Sequence, residues 1–391
     1  MEPIQYDSAA TPPPLPFAAT AEPPAVPAEP VREHHPFSFT GSGAEYFGIW
    51  IVNLFLTVLT LGIYSAWAKV RKKRYFYGHT WVAGANFEYH ADPIAILKGR
   101  LIAFVAFAAY SAASYASPRL GQALFAALVL VAPWFIARSF AFNARYSSYR
   151  NLRFRNVTAT RDVLLAVWPF LLGAVAALYL TPEFEPGQTK LGTAQWLGLF
   201  APSLILLLAY PYVFGALKRV HINRSSYGGA AFAIDAGIGA FYKLYLKAYL
   251  IGIVALVCFG MVGMMALFVP VLGAIIFLLA YVIAGAAAIG YLRSRVGNLV
   301  FNRTSLAGGV GFHSVLSAVD LAKLYGVNIL AISVSFGLLI PWAAVRVARY
   351  RASCLMLVAH GSLEQYLEQR GQDVAATGEE IGEMFDVDLS L

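Results

Sequence analysis

Eight apolar stretches, each close to the length of a membrane-crossing helix, constrain what this chain can fold into. A helix needs roughly 20 apolar residues to cross the hydrocarbon core of a bilayer. Hydrophobic residues make up 59% of the 391 residues and charged residues 13%, which is more apolar surface than a water-soluble core hides. We therefore predict a polytopic membrane protein. The stretches cover residues 46–67, 101–117, 120–137, 163–181, 194–217, 244–268, 270–292 and 324–345.

The positively charged residues indicate which connections face the cytoplasm. Residues 69–100, 138–162, 218–247 and 293–323 contain seven, six, five and four Lys or Arg. The alternate connections contain only Arg119 and Lys190. Cytoplasmic loops of membrane proteins carry an excess of Lys and Arg. We therefore expect the four basic connections on the cytoplasmic side. The net charge of +8 follows this topology, so we expect no nucleic-acid partner.

The two ends of the chain differ from the apolar part between them. Residues 1–36 hold ten of the 20 prolines and almost no large apolar residues, which predicts a disordered Pro-rich N-terminal tail. Residues 362–391 are rich in Asp and Glu, which predicts an acidic C-terminal tail with a short helix near Leu363–Gln369. Residues 37–361 are then a repeat-built transmembrane domain.

A gapless alignment of the first apolar stretch with the last indicates an internal repeat. If both flanking basic loops are cytoplasmic, these two stretches cross in opposite directions, which conflicts with the repeat or with the charges. Two alternatives remain open: six full spans plus two segments broken at Gly62 and Gly337–Pro341, or eight straight spans. The aligned identical pairs are Asn53 and Asn328, Gly62 and Gly337, Trp67 and Trp342, Val70 and Val345, Arg71 and Arg346, Arg74 and Arg349, Tyr75 and Tyr350.

A second pattern, Ser/Thr-x3-Gly/Asn-x2-Phe, recurs in each basic connection. Around it we predict short hairpins, with Tyr75–Tyr77 and Leu299–Phe301 as first strands and turns at Gly78–His79 and Asn302–Arg303. The fold class predicted is an all-α polytopic membrane protein with six to eight transmembrane helices, internal repeats and short cytoplasmic β-hairpins. The pattern occurs at Thr80/Gly84/Phe87, Ser147/Asn151/Phe154, Ser225/Gly229/Phe232 and Ser305/Gly309/Phe312, with a further match at Ser294/Asn298/Phe301.

The candidate functional residues are polar or interfacial. No Asp or Glu lies within the eight stretches, which disfavours an ion-coupled transporter. Asn53 and Asn328 are candidates for interhelical hydrogen bonds or for the lining of a shared polar cavity. A Trp beside a run of cations is typical of an anchor to anionic lipid headgroups. The predicted anchors are Trp67, Lys69, Arg71, Arg74, Trp342, Arg346 and Arg349.

The sequence offers little enzymatic chemistry. It has two cysteines and lacks a HExxH motif, a paired CxxC zinc site, a phosphate-binding loop and a nucleophile elbow. We therefore predict no catalytic residues, no metal and no cofactor. The alternative is an enzyme that uses His79, His90 or His313 together with a nearby carboxylate.

Several motifs resemble the YjgN-like family of bacterial inner-membrane proteins, whose molecular role is uncharacterised. The resemblance covers roughly residues 37–361. It implies a multipass protein of the bacterial inner membrane and carries over no catalytic residues. The motifs are Phe39-x-Gly41-x-Gly43-x2-Tyr46-Phe47, Asn53-Leu54, Thr60-Leu61-Gly62-Ile63-Tyr64-x2-Trp67, Lys69-x-Arg71-x2-Arg74-Tyr75, Phe87-x-Tyr89, Leu97-Lys98-Gly99-Arg100 and Pro341-Trp342-x3-Arg346-x2-Arg349-Tyr350.

Two classes of function remain. The first is a non-enzymatic membrane protein, either a transport or channel-like conduit or an envelope scaffold. The second is a membrane-embedded enzyme that acts on a lipid-like substrate at the cytoplasmic interface. The lack of ionisable residues at catalytic spacing favours the first class. Anionic membrane lipids are the expected partners, a homo-oligomer is an open alternative, and the cargo is not specified by the sequence.

Overall fold

The computed structural model describes residues 32–180, 192–266 and 269–377. The predicted N-terminal tail lies outside this part up to residue 31, as do the loop at 181–191 and the end of the acidic tail at 378–391. Arg32–Pro36 and Leu363–Thr377, both assigned to tails from the sequence, form a strand and a helix. The ordered fold therefore extends beyond residues 37–361 at both ends.

Five helix pairs alternate with pairs of short strands along the described chain. The ten helices of these pairs each pack against the next one along the chain, and the last of the ten packs against the first, so they close a ring. The helices are α1 Gly43–Leu59, α2 Ser65–Gly78, α3 Pro93–Ala116, α4 Pro118–Arg145, α5 Thr160–Leu180, α6 Thr193–Asn223, α7 Ile238–Ala266, α8 Pro270–Asn302, α9 Ala318–Val334, α10 Ile340–Ser353 and α11 Leu363–Thr377.

Six of the described helices, α3 to α8, are long and apolar enough to cross a membrane. Local chemistry sets where they begin. The Asp92 carboxylate accepts a hydrogen bond from the backbone N–H of Ile94 at 3.0 Å, and Pro93 occupies the first helical position of α3. Pro118 and Pro270 likewise occupy the first helical positions of α4 and α8, where proline loses no helical hydrogen bond.

The first and last apolar segments are broken. Leu61 and Gly62 have positive φ values of 51° and 93°, and Phe336 and Gly337 have 50° and 91°. These left-handed residues end one helix and start the next, so α1–α2 and α9–α10 are helical hairpins. The strands that flank each hairpin pair with one another, so both segments leave the sheet and return to it. This geometry favours the alternative in which the two segments are broken over eight straight spans.

The strands form one eleven-stranded antiparallel sheet. They are β1 Arg32–Pro36, β2 Ser38–Phe39, β3 Thr80–Val82, β4 Ala85–Tyr89, β5 Ser147–Tyr149, β6 Leu152–Asn156, β7 Ser225–Tyr227, β8 Ala230–Ile234, β9 Thr304–Leu306, β10 Val310–Ser314 and β11 Leu355–His360. Their order in the sheet is β1-β11-β10-β9-β8-β7-β6-β5-β4-β3-β2. Only Phe37 separates the two end strands, β1 and β2, in the chain, so the sheet curves into a nearly closed ring. We call the eleven strands and Phe37 the sheet ring.

The sheet ring shows that the predicted all-α fold class is wrong. The strands have two to six residues, so their alternation of buried and exposed positions is too short to stand out beside the apolar helices. Separate hairpins would also be marginal in water. Here every hairpin gains partners from hairpins that lie beyond an intervening helix pair in the chain, and the strands form one continuous layer rather than isolated hairpins.

The hairpins begin later in the chain than the sequence predicted. Tyr75–Tyr77 and Leu299–Phe301 are the last turns of α2 and α8 rather than strands. The Gly or Asn of the repeated pattern occupies the turn instead, with positive φ at Gly84, Asn151, Gly229 and Gly309. The extra pattern match at Ser294/Asn298/Phe301 lies inside α8 and forms no hairpin.

Candidate functional site

Asn53 joins the two helices of the first broken pair. Its buried side chain accepts a hydrogen bond through Oδ1 from the Arg71 guanidinium of α2 at 3.3 Å. The same guanidinium donates to the Tyr64 hydroxyl at 3.1 Å, next to the break. A charged donor strengthens such a bond, so Arg71 fixes the angle between α1 and α2.

Asn328 makes the matching contact in the last broken pair. Its Oδ1 accepts from the Arg346 guanidinium at 3.1 Å, and its Nδ2 donates to the Ala343 carbonyl at 3.4 Å. Arg346 also lies 4.4 Å from the centre of the Trp342 ring, in a cation–π contact. Each asparagine therefore bonds within its own helix pair, and the hydrogen bonds of the described residues do not join the two. A shared polar cavity between them stays a prediction.

The other predicted lipid anchors have different surroundings. The Trp67 ring stacks on Tyr64 with centroids 6.0 Å apart. It also packs against a small buried cluster formed by α2 and the start of α3. Arg74 donates to the Tyr89 carbonyl at 3.2 Å, and Arg349 donates to the Gly41 carbonyl at 3.0 Å. Lys69 is exposed. Four of the five predicted cationic anchors thus also hold the fold together, and their role as lipid anchors stays a prediction.

His79 is held on both sides by its own structural contacts. One ring nitrogen lies 2.8 Å from the Tyr75 carbonyl and the other lies 3.6 Å from the Glu45 carboxylate. The Tyr75 hydroxyl, in turn, contacts the same carboxylate at 3.1 Å. His79 thus contacts both α1 and α2, through a hydrogen bond at one ring nitrogen and a longer contact to the Glu45 carboxylate at the other. His313 is exposed on β10 and pairs across the sheet with Met356.

His90 lies beside a serine and a carboxylate, which is the residue set of a hydrolytic triad. Its Nε2 is 2.8 Å from the Ser148 hydroxyl and 3.2 Å from the Glu88 carboxylate. In a triad the carboxylate must orient the base through the opposite ring nitrogen. Here one nitrogen faces both partners, so the arrangement ties β4 to β5 and lacks triad geometry. In the described part of the chain, no three His, Cys, Asp or Glu side chains gather at metal-binding distance.

Aromatic side chains form a chain of contacts along the sheet ring, in which Phe37, Tyr149 and Tyr227 are buried and the other rings are half-buried. Neighbouring hairpins contribute rings that contact one another in sequence around the ring, with centroids 4.9 to 6.5 Å apart. Two buried tyrosine hydroxyls reach the preceding hairpin: Tyr149 donates to the Val82 carbonyl at 2.8 Å and Tyr227 donates to the Tyr149 carbonyl at 3.0 Å. Burial raises the pKa of both hydroxyls, so they remain donors. The rings are Phe37, Phe87, Tyr149, Tyr227, Phe154, Phe232 and Phe312.

Helix α11 packs across the turns of the hairpins. Leu363 and Leu367 are buried in the core of the sheet ring. The Arg150 guanidinium in one turn donates to the Glu364 carboxylate at 2.8 Å, and the Tyr366 hydroxyl donates to the Ala307 carbonyl in another turn at 2.7 Å. The helix therefore covers the end of the ring that lies away from the membrane helices.

A cavity of about 510 Å³ lies between α5, α6, α7 and α8. Its wall is apolar apart from the hydroxyl ends of Tyr210, Tyr245, Tyr249 and Tyr291. The Tyr249 hydroxyl donates to the Leu207 carbonyl at 2.8 Å. The volume is within the ~300–1,000 Å³ typical of small-molecule sites. The sequence did not indicate this cavity, because its residues come from four helices and its tyrosines resemble ordinary interfacial aromatics.

The six membrane-length helices, together with the Lys and Arg residues concentrated in the connections that contain the strands, define a polytopic membrane protein. Comparison with known sequences gives the family. The profile described as "Bacterial protein of unknown function (DUF898)" matches residues 34–384. The chain belongs to this family. The match includes most of β1 and all of α11, so the shared region is longer than the 37–361 expected from the motifs.

Named relatives place the protein in a membrane. The chain is 26% identical over 341 residues to the inner membrane protein YjgN of Salmonella typhimurium, covering 80% of this chain and 86% of that protein. It is 34% identical over 193 residues to YjgN of Escherichia coli O157:H7, covering 49% and 41%. No solved structure matches the chain. The predicted YjgN-like resemblance and the multipass inner-membrane location are confirmed.

Proposed function

We propose that this protein is a non-enzymatic scaffold of the inner membrane. The observation that supports this function most strongly is the chain of aromatic contacts along the sheet ring, with α11 packed across its turns. A conduit along the ring axis needs a wet path through the sheet. Tyr149 and Tyr227 are buried and Phe87 packs half-buried against Tyr149, which favours a packed sheet over such a path. A closed ring of helices on a packed ring of strands is better suited to holding a fixed shape in the bilayer.

The enzyme alternative receives less support from the geometry. Two of the three candidate histidines, His79 and His90, lie beside a carboxylate, and both are used in contacts between secondary-structure elements. Neither opens into the cavity between α5 and α8. The remaining candidate, His313, is paired with no carboxylate among the ion pairs of the described residues. A chemical step on a lipid would need a base and a nucleophile in one cleft.

The internal repeat is part of this proposal. Contacts in α1–α2 recur in α9–α10 at the offset of the sequence alignment, which supports two copies of one unit. The Tyr75 hydroxyl accepts from the Ser42 backbone N–H at 2.9 Å, and the Tyr350 hydroxyl accepts from the Ser317 N–H at 3.1 Å. The Asn–Arg contacts recur likewise. Two copies of one rigid helix pair, α1–α2 and α9–α10, lie next to each other where the ring of helices closes. We infer that together they would hold the ring at a fixed diameter.

Two measurements test the scaffold proposal. Purified protein in liposomes is assayed for release of K⁺, protons and a small dye, and the expected rates equal those of protein-free liposomes. Lipids of a deletion strain are compared with those of the parent, and no lipid species is expected to accumulate. A specific flux would replace the scaffold with a conduit. A lipid that accumulates and is cleared by the wild-type protein but not by His90→Gln would replace it with an enzyme.

A further inference from the structure

Lys218 lies at the end of an aromatic chain that leads into the cavity between α5 and α8. Its ammonium is 5.7 Å from the centre of the Phe214 ring. Phe214 stacks on Tyr210 at 6.1 Å and contacts Tyr245 edge-on at 5.8 Å. Both tyrosines line the cavity. A positive charge is therefore placed beside the apolar wall.

An arginine from another helix adds charge at the same end of the cavity. Arg293 of α8 directly follows Leu292, which lines the cavity, and lies on the sheet side of it along the helix. Lys218 of α6 is half-buried and Arg293 is exposed. We call Lys218 and Arg293 the cation cluster.

The cation cluster lacks a protein counter-charge within the ranges 32–180, 192–266 and 269–377. The Arg–carboxylate ion pairs there involve Arg150, Arg224 and Arg303, and none involves the cluster. Because Lys218 is half-buried, its charge is screened less than in open water, and an anion that contacts both cations would relieve their repulsion. Near Lys218 on α6, the Nε of Arg219 and the Nδ1 of His221 are buried without a hydrogen-bond partner. The region thus offers charge and polar groups that the fold itself leaves unmatched.

We propose that the cavity and the cation cluster together bind one anionic phospholipid of the surrounding bilayer. Tyr210 lies two helical turns, about 12 Å, further from the sheet than Lys218. An acyl chain in the cavity would therefore run into the membrane while the phosphate meets the cluster near the cytoplasmic interface. Basic pockets between transmembrane helices on this side are suited to anionic headgroups. This site goes beyond the scaffold proposal and does not depend on it.

Lipid retention tests the site directly. The full-length protein is reconstituted in phosphatidylcholine bilayers with or without phosphatidylglycerol, extracted in mild detergent, and examined by native mass spectrometry. We expect about one phosphatidylglycerol retained per chain and no comparable retention of phosphatidylcholine. Lys218→Gln with Arg293→Gln should lower phosphatidylglycerol retention by about tenfold or more, because it removes both cations that attract the phosphate.

Matched variants distinguish the effects of charge, of folding and of the cavity on lipid retention. Lys98→Gln with Lys323→Gln removes two exposed cations from other helices and should leave retention unchanged. Lys218→Arg with Arg293→Lys keeps both charges and should retain the lipid, which shows that loss in the Gln variant reflects charge. Ala288→Phe fills the cavity with the cluster intact and should also lower retention.

Three results would overturn the proposal. They are equal retention of both lipids by the wild-type protein, unchanged retention in Ala288→Phe, and displacement of the lipid by soluble glycerol phosphate, which would indicate a headgroup site without an acyl-chain pocket. The liposome flux assay is a separate readout, so a conduit activity would reject the scaffold and leave this site standing.

Discussion

The six long helices and the sheet ring are stabilised in different ways. The helices bury few residues within the protein, and large side chains such as Phe104 and Leu256 point outward with 67% and 70% exposure. The sheet ring holds the largest group of buried side chains, including Tyr149 and Tyr227. The helices rely on lipid to cover their apolar surface, whereas the strands must build a core of their own.

This difference shows that one chain can fold partly against lipid, along the long helices, and partly against water, at the sheet ring. Lipid-facing positions need only be apolar, so many side chains there satisfy the requirement equally. Positions inside the sheet ring must match the shapes and hydrogen bonds of specific neighbours. We therefore expect substitutions of similar size to have large effects in the ring and small effects on the long helices.

The largest effect is expected at the centre of the sheet ring. Tyr227→Ala removes a buried ring that contacts Phe154 at 5.0 Å and a hydroxyl that bonds the Tyr149 carbonyl. The expected loss in the free energy of unfolding is about 3–5 kcal/mol. Tyr227→Phe keeps the ring and should lose about 1 kcal/mol. Denaturant unfolding in detergent micelles, followed by circular dichroism, measures both values.

A matched substitution on the long helices completes this test. Leu256→Ala on α7 also shortens a large apolar residue, but its side chain faces outward, so the expected change is about 0.5 kcal/mol or less. A loss in Leu256→Ala as large as that in Tyr227→Ala would mean that the two regions do not differ as proposed.

An intermediate effect is expected in the broken helix pairs, which resemble the sheet ring in making specific polar contacts. Asn328→Ala removes the acceptor of the half-buried Arg346 and should lower the unfolding free energy by about 1–3 kcal/mol. Asn53→Ala should cost less, because Arg71 is exposed and keeps the Tyr64 hydroxyl as a partner. Thermal unfolding of the two variants under one set of conditions gives the order, and the reverse order would contradict the assigned contacts.

The smallest effect is expected at the rim of the sheet ring, where Glu33 of β1 accepts the backbone N–H of Leu363 at 3.1 Å. This hydrogen bond, followed by that from His35, lowers the pKa of Glu33 below its ordinary value of 4.5. The contact is therefore fully present above that value and is lost as the pH falls through the lowered pKa. The hydrogen-exchange protection factors of α11, which are corrected for the intrinsic pH dependence of exchange, should fall on acidification in the wild type. Glu33→Gln should show a smaller change between the same two pH values, and an identical change would remove the assigned role.

The membrane class could be predicted from length and hydropathy, which left the number of long helices between six and eight. The repeated pattern contained the turn residues, such as Gly84 and Asn151 with positive φ, but the turns were predicted earlier in the chain, at Gly78–His79 and Asn302–Arg303. The first strands were misplaced because Tyr75–Tyr77 reads as β-prone by composition. Helix α2 continues through it, and the Tyr75 hydroxyl bonds the Ser42 backbone instead.

The closure of the sheet and the lipid-sized cavity could not be predicted from this sequence. Arg32 pairs with His360, and no local pattern indicates a partner so distant. The cavity depends on which faces of four helices meet, and a single sequence does not define those faces. Asn53 and Asn328 make interhelical hydrogen bonds, one of the two alternatives that the sequence left open, and a functional role for them stays a prediction.

The position of β1 has a consequence for the biogenesis of the protein. Its partner β11 is synthesised only after helices α1 to α10, so the first ordered strand waits unpaired while all the membrane helices are inserted. At ordinary translation rates this delay is on the order of tens of seconds. Pairing of β1 with β11 is therefore a late event in folding. A chain that stops before β11 leaves the edge of β1 unpaired, and an unpaired strand edge is a site where another chain can add.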